Sequence, residues 1–178
     1  MRNQHNIVLI GPMGAGKTSI GKALSREIGW EFYDSDQVIE ERAGVELLWI
    51  YDLEGEEGFH RREQKVIGDL MQKRNIILAT GGSTVAIAEN RQAISRNGVI
   101  IYLSTSLDDQ LVRTGYSKKR PLSAEVEERR SILKRLYDEY VQLYEALADI
   151  IYNTDHKSTH TAVTDLVKLI KEQKPLFL

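Results

Sequence analysis

Short apolar runs alternate along the chain with segments whose apolar residues recur every three or four positions. Ile7-Val8-Leu9-Ile10 is the first run and predicts a buried strand. A helix follows over 17–28, closed by Gly29, then a short strand over 31–33 and a helix over 37–43 that stops at Gly44. Further helices are predicted over 46–52 and 57–73. In the longer one, Phe59, Val66, Ile67, Leu70 and Met71 fall on roughly one face. Strands over 75–79 and 99–103 come next, the first stopped by Gly81-Gly82, and then a helix over 106–113. A long helix over 124–147, a fifth strand over 149–152 and a last helix over 161–171 complete the pattern. The stretch 114–123 breaks it. This stretch is polar and basic, contains Gly115 and Pro121, and reads as a mobile loop.

Strands alternating with helices specify the α/β class, with a parallel sheet covered on both faces. Ligands of such sheets gather at the carboxyl ends of the strands. The segment after Ile10, then Asp34, Asp36, Gly81 and Gly82, all follow predicted strand ends, so they should share one rim.

The length of 178 residues suits a single domain spanning 1–178. The formal net charge of −2 gives no global attraction to nucleic acid or anionic lipid. There is no cysteine, which excludes disulfides and thiolate metal sites. The polar first six residues and the shortness of the run behind them do not resemble a signal peptide. No run approaches membrane-spanning length. A soluble cytoplasmic protein is expected, without nucleic-acid or membrane partners.

Chemistry enters with GPMGAGKTS, Gly11 to Ser19. Gly11, Gly16, Lys17 and Thr18 satisfy G-x-x-x-x-G-K-[ST], set between a strand and a helix as phosphate binding requires. Backbone N–H groups along Gly14, Ala15, Gly16 and Ser19 would cradle phosphate at the positive helix end. Lys17 can reach the β and γ phosphates, and Thr18 can ligate Mg²⁺. In YDSD, Asp34 and Asp36 stand two apart at a strand end. Carboxylates beside phosphate imply an intervening cation. One can hold Mg²⁺ through water and the other can orient an acceptor hydroxyl. Capping of the next helix is the competing role for either, and Asp36 is able to serve both. The glycines of LATGGS suit close approach of backbone to a ligand, and equally a tight turn. YSKKRPL, within the loop over 114–123, could close over a γ-phosphate and present Arg120, held by Pro121. His5, His156 and His160 have no metal-binding spacing.

The phosphate loop, DSD, GEEGF, ATGG and KKRPL occur in the order and spacing of shikimate kinases, and the chain resembles that family from about residue 6 to about 155. The resemblance implies a three-layer P-loop kinase fold like that of nucleoside-monophosphate kinases: a five-stranded parallel sheet flanked by helices, with a mobile lid. It implies transfer of the γ-phosphate of ATP to the 3-hydroxyl of shikimate with Mg²⁺, by a monomer acting on a small-molecule substrate. By match, Lys17 and Thr18 look like the ATP and Mg²⁺ residues, and Asp34 like the residue that holds Mg²⁺ through water. Asp36 looks like the residue that grips the substrate hydroxyls and accepts the proton. Gly82 looks like a backbone donor to substrate, Arg113 like the arginine beside adenine, and Arg120 like the lid arginine.

Three positions depart from the family pattern. His60 and Tyr140 stand where the family has carboxylate-binding arginines, and Ser83 stands for a third glycine. Arg61 and Arg62 adjoin His60, but one helical step turns a side chain by about 100°. Weakened affinity for shikimate is therefore expected. Loss of the arginines leaves open a relative that phosphorylates another polyol. Retention of Lys17, Thr18, Asp34, Asp36 and Arg120 weighs against a nucleotide-binding protein without turnover.

Overall fold

A computed structural model of the chain describes residues 5–115 and 126–173. In chain order the elements are β1 (Asn6–Ile10), α1 (Lys17–Ile28), β2 (Glu31–Asp34), α2 (Ser35–Ala43), α3 (Leu47–Leu70) and β3 (Ile76–Ala79). A 3-10 turn (Thr84–Ala86) leads into α4 (Ala88–Asn97). Then come β4 (Gly98–Ser104), α5 (Leu107–Gly115), α6 (Val126–Leu147), β5 (Ile150–Asn153) and α7 (Thr159–Gln173). The five strands form one parallel sheet in the order β2-β3-β1-β4-β5.

Side chains alternate across the sheet, so each central strand feeds two cores. Val8, Ile10, Leu78, Ile100 and Tyr102 point to one face and pack with Ile39, Phe59, Ile67 and Tyr144 from α2, α3 and α6. Ile7, Leu9, Ile77, Val99 and Ile101 point to the other and meet Leu24 of α1 and Leu166 and Ile170 of α7. Burial on both faces explains why β1 reads as an unbroken apolar run. At the edge, β5 buries only alternate residues: Ile150 and Tyr152 are inside, and Ile151 is exposed.

One expectation holds and one needs correction. The two helices expected over 46–52 and 57–73 are present as the two arms of α3, separated where Gly55 leaves helical geometry at φ 69 and ψ −176. Such a φ strains residues that carry a Cβ, so glycine sets the bend. The apolar pattern gave no helix between β3 and β4, where α4 stands. Its buried residues are Asn90 and Ile94, so it has no apolar stripe to detect. Polar contacts hold it instead: Asn90 Nδ2 donates to Glu63 Oε2 and to the Thr84 carbonyl. Most of the loop expected over 114–123 lies outside the described residues; Thr114 and Gly115 end α5.

Candidate active site

Parallel strands bring their carboxyl ends to one rim, where the loop after β1 enters α1. Gly11 has φ 141, and a Cβ there would sit 2.4 Å from the Leu103 carbonyl oxygen, so β4 and the loop close only around glycine. Gly14 and Gly16 also have positive φ, 80 and 94. Gly16 is the N-cap of α1, and no side chain caps that end. The start of α1 thus offers N–H groups and a positive dipole end to an anion. Lys17 Nζ folds back over the loop, donating to the carbonyls of Gly11 at 2.7 Å and Pro12 at 2.8 Å. Arg113 holds the loop from behind. Its Nη1 donates to the Gly14 carbonyl at 3.0 Å, and its Nη2 to the Thr154 carbonyl at 2.9 Å and to Asp109.

The carboxylates diverge in role. Thr18 Oγ1 donates to Asp34 Oδ2 at 2.7 Å. The other oxygen, Oδ1, accepts from the backbone N–H groups of Asp36 and Gln37, which makes Asp34 the N-cap of α2. The cap is therefore Asp34, and Asp36 lies in the first turn of α2 without that duty. Asp36 lies where two cavities meet, with Gly81 and Gly82. A Cβ on Gly81 would come within 2.9 Å of Asp36 Oδ1, so that glycine makes room for the carboxylate.

One cavity, of about 490 Å³, is lined by Gly14, Gly16, Lys17, Thr18, Ser19, Asp34 and Arg113, with polar atoms prominent. Ala15, between Gly14 and Gly16 in the loop, is buried. The other, of about 830 Å³, brings Asp36, His60, Gly82, Ser83 and Tyr140 together. Sequence-distant candidates thus converge on one continuous site.

His60 lies between two carboxylates, with Nε2 3.4 Å from Glu56 and Nδ1 3.6 Å from Glu63. Glu63 is wholly buried and accepts from the Thr84 hydroxyl at 2.6 Å. Burial pushes its carboxyl above the usual range, with the nearby Asp36 charge adding to the rise, while the Thr84 hydroxyl and His60 oppose it. Tyr140 is pushed up to about 12, chiefly by burial and next by Glu139, so it remains an uncharged phenol. Tyr144 Oη donates to the Gly82 carbonyl at 2.6 Å and its ring stacks on Tyr102, which fixes the Gly81-Gly82 turn against the sheet. Arg61 and Arg62 point elsewhere, paired with Glu57 and Glu54, as the helical step requires. Arg120 lies outside the described residues.

Sequence reasoning missed Glu63 and Tyr144. The signal for Glu63 was present: a charge four residues after Phe59 and three before Val66, on the apolar face of its own helix.

The family model for shikimate kinase matches residues 13–171. The chain belongs to the shikimate kinase family. Among curated members, shikimate kinase of Legionella pneumophila (strain Paris) is 52% identical over 165 residues, covering 93% of this chain and 94% of that one. The family member from Vibrio parahaemolyticus is 46% identical over 173 residues, covering 97% of this chain and all of that one. Among solved structures of the family, shikimate kinase from Acinetobacter baumannii in complex with shikimate superposes with a TM-score of 0.90 at 37% identity, covering 97% of this chain and 96% of that one.

Proposed function

We propose that this protein is an ATP-dependent kinase that phosphorylates the 3-hydroxyl of shikimate. The observation that carries the reading is the placement of Asp36 at the junction of a phosphate-loop cavity and a cavity of small-molecule size. ATP binds with its phosphates over the loop, and Lys17 exchanges its carbonyl partners for the β and γ phosphates. The acceptor occupies the larger cavity, where Asp36 orients the hydroxyl. Its oxygen bonds to the γ-phosphorus as the bond to the bridging oxygen of ADP breaks, and the hydroxyl proton passes to the Asp36 carboxylate. Arg113 positions the loop through Gly14. By motif alone, Arg120 is assigned to the transferring group.

Mg²⁺ fits this site. Thr18 Oγ1 and Asp34 Oδ2 are hard oxygen donors 2.7 Å apart on the phosphate cavity. Bound Mg²⁺ supplies charge neutralisation at the phosphate oxygens. Among the described residues no cluster of three acidic or histidine ligands exists, which suits a cation held mainly by phosphate and water. A single domain acting as a cytoplasmic monomer accords with this reading. Among the described residues no helix is long and apolar enough to cross a membrane.

The test is ADP release from ATP and Mg²⁺ with and without shikimate. Shikimate-dependent release is expected; release that shikimate does not alter would refute the proposal.

A further inference from the structure

We propose that the acceptor cavity turns over a second class of substrate, cyclic polyols carrying an uncharged polar group where shikimate carries its carboxylate, and that it prefers them. This rests on the kinase reading above and extends it to the choice of acceptor.

The cavity wall carries the argument. Among the described residues that line it there is no lysine or arginine, but there are four carboxylates: Asp36, Glu40, Glu46 and Glu56. The one lining side chain there that can become a cation is His60. Both its ring nitrogens face carboxylates, Glu56 on one side and the buried Glu63 on the other. Any charge His60 acquires is met by its own neighbours before a ligand arrives. The arginines next in sequence, Arg61 and Arg62, are committed to Glu57 and Glu54. Much of the remaining wall is apolar or aromatic, including Leu47, Leu48, Phe59 and Leu136.

A ligand carboxylate entering this space would lose water and find like charge. A carboxamide of the same shape has no charge to desolvate. It can donate N–H to a glutamate and accept from the Tyr140 hydroxyl. The hydroxyls that Asp36 orients are the same in both molecules, so the chemistry of transfer is unchanged.

The experiment compares kcat/KM for shikimate and for shikimate carboxamide, with ATP and Mg²⁺, in the parent protein and in the H60R/Y140R variant. In the parent, kcat/KM for the carboxamide is expected to exceed that for shikimate, by threefold or more. In the variant the order is expected to reverse, because two guanidinium groups now reward the carboxylate. A parent that handles shikimate as well as the carboxamide, or better, overturns the inference and leaves the kinase reading standing. Carboxamide turnover with none of shikimate supports the inference and removes shikimate as substrate. Turnover of neither acceptor overturns both readings. The parent comparison does not depend on whether the variant folds.

Discussion

Replacing Asp34 with alanine removes three hydrogen bonds at once: two from the backbone N–H groups that open α2 and one from Thr18 Oγ1. Loss of an N-cap costs about 0.5–2 kcal/mol. Loss of a side-chain hydrogen bond such as that of Thr18 costs about 0.5–1.5 kcal/mol. Together Asp34→Ala should destabilise by about 1–3.5 kcal/mol. For a chain of this size each kcal/mol lowers Tm by about 2–4 °C, so a fall of about 2–14 °C is expected. Asparagine caps helices nearly as well as aspartate but carries no charge. Asp34→Asn should therefore keep most of the stability and still lose most phosphoryl transfer, because a neutral amide holds Mg²⁺ poorly. Thermal unfolding without ligands reads the first effect, and ADP release at saturating ATP and acceptor reads the second. If Asp34→Asn retains normal turnover, the carboxylate is only a cap and its assignment to the cation is wrong. If Asp34→Asn is as unstable as Asp34→Ala, the capping argument fails.

Lys17→Met should abolish transfer, since it removes the ammonium that folds over the loop carbonyls of Gly11 and Pro12 and would meet the β and γ phosphates; retained turnover in a steady-state assay would contradict its role. Asp36→Asn should lower kcat far more than it weakens ATP binding, as titration calorimetry beside kinetics will show; the opposite split would make Asp36 a nucleotide or structural residue. Glu63→Gln tests the buried carboxyl. Its pKa is raised by burial, so the folded state holds the proton more tightly than the unfolded chain. The stability this contributes is full below the unfolded value of about 4.3 and is lost as pH rises through the folded one. Glutamine does not titrate, so the variant should gain stability relative to the parent as pH rises above the unfolded value of about 4.3 in urea unfolding. A difference that does not change with pH refutes the burial argument.

What the sequence discloses follows from what burial leaves in it. β1, β3 and β4 are covered on both faces, so they appear as apolar runs, and their ends locate the rim. The phosphate loop is legible because its geometry demands glycine at fixed places, as the Leu103 carbonyl shows for Gly11. α4 is not legible, because Asn90 and its polar partners anchor it in place of an apolar stripe. The capping role of Asp34 over Asp36 depends on where α2 starts, two residues earlier than its apolar spacing suggests. The contrast between His60 and Arg61 was visible as helical geometry. The two carboxylates that flank His60, four residues before it and three after, follow from the same helical spacing, whereas the burial of Glu63 against Thr84 depends on how α3 packs.

Transfer of phosphate from ATP to the 3-hydroxyl of shikimate is read from the product itself by phosphorus and proton NMR. A new phosphomonoester resonance coupled to the proton on carbon 3 is expected, growing in step with ADP and absent with Lys17→Met. ADP formed with inorganic phosphate alone, or an ester on another hydroxyl, would refute this chemistry.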